Sequence, residues 1–267
     1  MLLSVFSRTA RDQRRSLMVW IVALAGLVGM YVAVYPAVKG SSSFAKLIDE
    51  MPKTYRALFT TGSGVDFTTP AGYLNTELLT FMGPLLVLVY AIGAGASAIA
   101  GEQDRGTLDL LLANPVSRAR VLLEKFGVMV AGVTVLMAAL WVALLVEGSA
   151  AGMDVPLANS AAALLHMGLL GVEFGALALL VGSLTGHLAA SRGVAALVAV
   201  AAYLINAFAP LASWIRPARA ASPFYQYIGN DPMRNGLSVS GLTVSAMTIA
   251  ALVTLSVAAF RRRDVLA

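Results

Sequence analysis

The residue types that most often perform chemistry are scarce in this chain of 267 residues. It contains no cysteine, and its only histidines are His166 and His187. The lack of cysteine excludes thiolate chemistry, disulfides, and zinc or iron–sulfur sites built on thiolates. Two histidines far apart in the sequence are poor material for a metal site or for a nucleophile–base pair. The sequence therefore predicts a chain with no catalytic, metal-binding or cofactor-binding residues.

A pair of glycines has the spacing of a phosphate-binding loop. Gly101 and Gly106 match the first part of the pattern G-x-x-x-x-G-K-[ST], but Thr107 and Leu108 follow the second glycine. The lysine that would reach the phosphates is missing, and no predicted strand precedes the glycines. We therefore expect that this chain does not bind ATP through this segment.

The composition predicts that much of the protein's surface faces lipid. Hydrophobic residues make up 58% of the chain and charged residues 12%, with a mean hydropathy of +0.79. Soluble domains have about twice that charged fraction, so this chain has too few polar side chains to cover a water-facing surface. The basic residues flank apolar runs and form no continuous patch, which argues against nucleic-acid binding and for a lipid bilayer as the partner.

Six apolar runs are long enough to cross a bilayer as helices, which takes roughly 20 residues. They lack the alternation of an outer-membrane barrel strand and exceed its length, so helices are the only interpretation. The predicted fold is an all-α membrane protein with one transmembrane domain, residues 1–267. The predicted spans are about 16–38, 78–100, 121–146, 159–185, 193–215 and 238–260.

The basic residues also predict the orientation in the cell membrane. Six spans place both termini on one side, and cytoplasmic termini put 12 Lys and Arg residues inside against 7 outside. Four of those seven lie in the long loop 39–77, where charge has less influence on topology. We therefore expect a multi-pass plasma-membrane protein with both termini in the cytoplasm.

The first 15 residues predict a helix on the inner membrane surface. Arg8, Arg11 and Arg15 lie on one helical face and follow a short apolar segment at the beginning of the sequence. This pattern is typical of an amphipathic interfacial helix. The alternative is a positively charged flank that only sets the orientation of the first span.

The cytoplasmic segment 101–118, between spans two and three, is the most informative part of the sequence. Leu108, Leu111 and Leu112 stand at i, i+3 and i+4, so they form one stripe on a short helix. The helix is predicted to end before Pro115. Since nothing else in the chain is predicted to cover these leucines, the helix fits a docking site for a partner protein. The alternative is a helix that lies flat on the bilayer.

These residues resemble a known family. The pattern Glu102-x-x-x-Gly106-Thr107-Leu108-x-x-Leu111-Leu112-x-x-Pro115 is similar to the signature of type-2 ATP-binding-cassette (ABC) exporter permeases of bacteria. The resemblance covers nearly the whole chain, because further matching segments stand before and after the last span. These segments are Ser222-Pro223-Phe224-Tyr225 and Phe260-Arg261-Arg262-Arg263-Asp264.

The resemblance implies a permease subunit of an ATP-driven exporter. Such a subunit forms the translocation pathway with a second permease, identical or paralogous. Separate soluble ATPase subunits hold ATP and Mg²⁺ and dock on a coupling helix between spans two and three. The residues implied at that interface are Glu102, Arg105, Gly106, Thr107, Leu108, Leu111, Leu112 and Pro115.

The substrate class does not carry over from this resemblance. The chain lacks the fused ATPase and the large extracellular domain of the larger lipid- and drug-exporting relatives. A secondary transporter driven by an ion gradient is the alternative function. Such a transporter should show inverted repeats, and the sequence has no evident repeat.

A few polar residues inside the predicted spans are further candidates for function. Glu173 lies near the middle of the fourth span, where an ionised carboxylate is unfavourable by about 2.5–3.5 kcal/mol. His166 falls on the same helical face as Glu173, opposite a stripe of glycines that would let another helix approach closely. This polar face is predicted to line the translocation route or a helix interface, and a neutral, hydrogen-bonded Glu173 is the alternative. In the fifth span, Tyr203 and Asn206 are predicted to form hydrogen bonds between helices.

Overall fold

The computed structural model describes residues 5–41, 69–113 and 116–263, together with the single positions 46, 50, 52 and 54; the side chains of Glu77 and Leu112 are not described. Within these residues all regular structure is helical, and six helical stretches are long and apolar enough to cross a membrane. The first is α1 (Val5–Val38). The second is continuous through three elements: α2 (Pro70–Leu74), a π-helix (Asn75–Met82) and α3 (Gly83–Asp104). The other four are α5 (Arg118–Ala150), α6 (Leu157–Thr185), α7 (Leu188–Phe208) and α11 (Val239–Arg262). The shorter helices are α4 (Leu108–Leu112), α8 (Arg216–Arg219), α9 (Pro223–Ile228) and α10 (Pro232–Asn235).

The predicted all-α fold with six spanning helices is confirmed, but one predicted span is displaced along the chain. The fifth span was expected at 193–215, whereas α7 begins at Leu188 and ends at Phe208. Pro210 explains the early end, because proline has no backbone N–H and cannot continue the helix. The early start places Arg192 inside α7, one turn from its first residue, where a long side chain can still extend to a polar surface.

The helix predicted for residues 1–15 is not a separate element. It forms the first turns of α1, which continues without a break to Val38. The sequence explains this continuity, since no proline or glycine occurs from residue 5 to residue 25. The start of α1 is fixed to α5 by the Glu124 carboxylate, which accepts a hydrogen bond from the Phe6 amide at 2.9 Å. The contact of these turns with the membrane surface stays a prediction.

Helix α6 is the centre of the bundle, and small residues allow its neighbours to approach closely. It packs against α3, α5, α7 and α11, and it is buried along most of its length. At the tightest point, a Cβ atom added to Gly95 of α3 would lie 2.1 Å from the carbonyl oxygen of Gly175. Gly171 faces Val87 of α3 and Val133 of α5. The glycine face of this helix therefore packs against neighbouring spans, as predicted.

Charged side chains cap neighbouring helices at the end of the bundle that carries α4, here called the α4 end. Arg263 donates to two carbonyls in the last turns of α6, at 3.5 and 3.2 Å. Arg118 of α5 donates to the Phe260 carbonyl of α11 at 3.3 Å. The Asp104 carboxylate accepts from the amide of Leu188, the first residue of α7, at 3.2 Å. Because helix ends leave backbone groups unpaired, these contacts tie the spanning helices together at this end.

At the opposite end of the bundle, side chains pair with backbone groups of the π-helix. The hydroxyl of Thr80 donates to the Asn75 carbonyl at 2.7 Å, and the Tyr227 hydroxyl donates to the Leu79 carbonyl at 2.6 Å. The side-chain amide of Asn75 donates to the Asp231 carboxylate at 3.1 Å. Burial raises the pKa of the Asp231 carboxyl above its ordinary value. These contacts fix the π-helix to the loop that precedes α11.

The packing of α3 on α6 makes a testable prediction. We expect Gly95→Ala to lower the free energy of unfolding by about 1–3 kcal/mol, because the added methyl group meets the Gly175 carbonyl. The matched control is Gly93→Ala, two residues away, where an added Cβ meets no atom within 4 Å. Thermal unfolding of the purified chain in detergent measures both variants. Equal stability of the two would contradict the close contact.

Candidate functional site

The segment between α3 and α5 is built from a glycine turn, a short helix and a capped helix start. Gly106 has a φ of +67°, in the left-handed region that favours glycine, and it turns the chain after Asp104. Helix α4 follows and ends at Leu112. The Ser117 hydroxyl then accepts from the Arg120 amide at 3.2 Å and so caps the start of α5.

The Glu102 carboxylate joins this turn to both flanking helices. It accepts from the Lys125 ammonium of α5 at 2.7 Å and from the Arg105 guanidinium at 3.2 Å. It also accepts a short hydrogen bond from the Thr107 hydroxyl. The backbone amide of Thr107 donates to the backbone carbonyl of Glu102 at 2.9 Å. The Lys125 side chain is only 5% exposed, so without this carboxylate its ammonium would be buried and unpaired. The predicted residues Glu102, Arg105 and Thr107 thus form one polar cluster around a lysine.

The inner face of α4 packs against the protein itself. Leu108 is 2% exposed and lies in an apolar cluster with Ile99 of α3, Leu122 of α5, Leu179 of α6 and Phe260 of α11. The prediction that nothing in the chain covers these leucines is therefore wrong for Leu108. At Leu108, the apolar face of this helix is covered by the ends of the spanning helices.

The exposed leucine of α4 is Leu110, which the sequence reasoning missed. Its side chain is 72% exposed, whereas Leu111 is half-buried. The side chain of Leu112, and Pro115 as a whole, lie outside the part of the chain that the structure describes. A signal for Leu110 was present in the sequence: two residues rotate a helix by about 200°, so Leu110 points away from Leu108.

Two cavities border the spanning helices. One, of about 950 Å³, lies at the α4 end between α1 and α3, and Glu102, Arg105 and Thr107 line it. The other is a mostly apolar groove of about 690 Å³ between α3 and α7. Tyr203 lines this groove, and its ring lies 5.3 Å from the Phe224 ring. The predicted hydrogen-bonding role of Tyr203 stays a prediction.

The predicted polar residues of the fourth span face α11. His166 is buried, and its Nε2 accepts from the Ser238 amide, just before α11, at 3.1 Å. Glu173 is buried beside Ser245 of α11, and its Oε2 atom has no hydrogen-bond partner among the described residues. Neither residue lines either of the two cavities. This polar face was predicted to line either the translocation route or a helix interface, and the geometry supports the helix interface.

Asn206 is buried near the end of α7, and its side-chain hydrogen bond within the described residues reaches a short helix that is not one of the spanning helices. Its side-chain oxygen accepts from the Arg219 guanidinium at 3.3 Å. Arg219 ends the short helix α8, so this contact fixes the loop that follows α7.

Among the described residues, six helices long and apolar enough to span a bilayer, with a short helix between the second and the third, define a multi-pass membrane protein. The sequence model described as ABC-2 family transporter protein matches residues 3–265, and the chain belongs to this family. The resemblance drawn from the segment around α4 is thus confirmed at the level of the family. The chain is also similar to a probable ABC transporter permease protein, NosY, of Stutzerimonas stutzeri. The two are 43% identical over 83 residues, a match that spans 29% of each chain.

The Glu102–Lys125 pair predicts a large difference from a neighbouring exposed pair. We expect Glu102→Ala to lower the free energy of unfolding by about 2 kcal/mol, because it leaves a buried ammonium without its carboxylate. The control is Arg120→Ala, which removes a 65% exposed partner of Glu124 and should change stability by less than about 1 kcal/mol.

A double variant separates the charge effect from lost packing. Adding Lys125→Met to Glu102→Ala removes the unpaired ammonium and should recover most of the lost stability. Chemical unfolding in detergent measures all the variants. If the double variant is as unstable as Glu102→Ala, the unpaired ammonium is not the cause.

Proposed function

We propose that this chain is the membrane-spanning permease subunit of an ATP-driven exporter. It forms the translocation pathway with a second permease subunit, and separate soluble ATPase subunits dock on α4. Membership of the ABC-2 family supports the role in transport. The observation that carries the proposal is the two-sided character of α4, with Leu110 exposed on one side and Leu108 anchored on the other.

The anchored side explains how a docking partner would move the spanning helices. Leu108 lies among side chains from α3, α5, α6 and α11. The Glu102 cluster adds a polar connection from the turn to α5. Close-packed interiors transmit displacement because they hold few voids. A push on α4 by an ATPase that changes shape as it binds and hydrolyses ATP would therefore reach four spanning helices together.

The orientation follows from the arginines near the α4 end. Arg8, Arg11, Arg14 and Arg15 are exposed on the first turns of α1. Positively charged flanks of this kind favour the cytoplasmic side of the plasma membrane. Both termini and α4 are then cytoplasmic, where soluble ATPase subunits are available.

The groove between α3 and α7 is the surface that we assign to the translocation route. It is open, mostly apolar, and lined by aromatic side chains that include Phe81, Tyr203 and Phe224. A second permease subunit facing it would close the groove into a passage between two chains. His166 and Glu173 lie on a different side of the bundle, so we assign them to the α6–α11 interface.

Docking on α4 is tested with a charge on its exposed side. We expect Leu110→Asp to abolish co-purification of the soluble ATPase subunit that we propose as the partner, because a carboxylate would be buried in the apolar contact. The matched control is Leu237→Asp, an exposed leucine before α11 at the opposite end of the bundle. Pull-down from solubilised membranes, at equal permease amounts, measures both. Retention of the ATPase by Leu110→Asp at the level of the unchanged chain would contradict docking on α4.

The energy source is tested by reconstitution. Proteoliposomes that contain the permease, its ATPase and Mg-ATP should transport substrate, and omission of the ATPase should reduce transport to the rate of empty vesicles. Transport by the permease alone, driven by an imposed ion gradient, would contradict the proposal and favour a secondary transporter.

A further inference from the structure

The cavity of about 950 Å³ at the α4 end is a slot between α1 and α3. Charged residues line its mouth near Glu102, and apolar residues line its inner end near Trp20 and Val89. The inner end lies where the Trp20 and Tyr90 rings meet, with their centroids 6.0 Å apart. Val89 and Glu102 are 13 residues apart on α3, and at 1.5 Å per residue this gives a slot about 20 Å long.

The mouth of the slot carries more positive than negative charge. The cavity is lined by five basic and three acidic side chains, a difference of two. Two of the acids are already paired: Glu102 with Lys125 and Arg105, and Glu124 with Arg120. The basic residues are Arg8, Arg105, Arg120, Lys125 and Arg192, and the acidic ones are Asp12, Glu102 and Glu124.

Two arginines at the mouth are available for a ligand. Arg8 and Arg192 are both exposed, and within the described part of the chain neither lies within 4 Å of a carboxylate. Arg192 donates a 3.4 Å hydrogen bond to the Ser97 hydroxyl. Guanidinium groups bind phosphate oxygens through paired hydrogen bonds, so the mouth is suited to a phosphate group.

The inner end of the slot is suited to a hydrocarbon chain. Val89 is half exposed, and an added Cβ at Gly93 would meet no atom within 4 Å, so there is open space beside it. Ala94 and the Trp20 ring complete this apolar lining. A free phosphate ion would contact only the mouth, whereas a molecule with an anionic head and a hydrocarbon tail would contact the whole slot.

We propose that the slot binds one anionic glycerophospholipid from the leaflet at the α4 end, with its phosphate at Arg8 and Arg192 and an acyl chain between Trp20 and Gly93. Basic pockets between spanning helices are known to recognise anionic headgroups. Leu110 and Leu111 of α4 line the same mouth, so the bound headgroup lies beside the helix on which we expect the ATPase to dock. Val89, Gly93 and Arg192 also line the groove between α3 and α7, so the lipid slot and that groove meet along α3.

Lipid binding to the full chain is measured by native mass spectrometry from mild detergent. The probes are phosphatidylglycerol and phosphatidylcholine with the same acyl chains. We expect one phosphatidylglycerol to bind about tenfold more tightly than phosphatidylcholine. The Arg8→Gln, Arg192→Gln double variant should lose this preference. The matched control is Arg11→Gln with Arg261→Gln, two exposed arginines that do not line the slot.

A second pair of variants tests the acyl chain. Gly93→Leu adds a side chain at the apolar end of the slot, where a Cβ meets no atom within 4 Å, and should weaken phosphatidylglycerol binding about tenfold. Gly26→Leu, on the exposed side of α1 where an added Cβ also meets no atom within 4 Å, should leave binding unchanged. Inorganic phosphate in excess should not displace the lipid.

Three results would overturn the proposal. One is equal binding of phosphatidylglycerol by the Arg8→Gln, Arg192→Gln variant and the unchanged chain. Another is an equal loss of the preference for phosphatidylglycerol in the Arg11→Gln, Arg261→Gln control, which would show that the preference comes from overall positive charge and not from a specific site. The third is unchanged binding in Gly93→Leu, or displacement by inorganic phosphate, either of which would show that the acyl chain is not held. Thermal unfolding of each variant confirms that the fold is retained.

Discussion

The layout of the α4 end depends on one electrostatic constraint, the burial of the Lys125 ammonium beside the Glu102 carboxylate. A buried ammonium is unfavourable without an opposite charge, and the Glu102 carboxylate lies 2.7 Å from it. The same carboxylate receives Arg105 and Thr107 from the turn before α4. One side chain thereby joins α3, the turn before α4 and helix α5.

Helix α4 combines attachment to the bundle with exposure to a partner. Leu108 fills the apolar cluster below it, while Leu110 points outward. The side chains of Arg118, Arg263 and Asp104 bind backbone groups at the ends of the other helices, at the same end of the bundle. A lipid headgroup in the slot beside α4 would lie at this end too. Docking, coupling and lipid binding would therefore all act on one set of contacts.

Composition and the length of the apolar runs predicted the fold, because a bilayer admits few spanning structures. The N-cap at Ser117 was also predictable from the sequence, since it depends on local backbone chemistry. The direction of the leucine stripe was not. Periodicity shows that one face of a helix is apolar, but burial of Leu108 depends on helix ends far away in the sequence. The partner of Glu102 was unpredictable for the same reason, since Lys125 is 23 residues away.

The central claim is that α4 presents Leu110 to the ATPase and Leu108 to its own bundle. Because the chain contains no cysteine, a single cysteine can be placed at either position and labelled with a thiol-reactive photo-crosslinker. In the assembled complex, we predict an adduct between permease and ATPase from Leu110→Cys and none from Leu108→Cys. An adduct from Leu108→Cys together with none from Leu110→Cys would contradict the account.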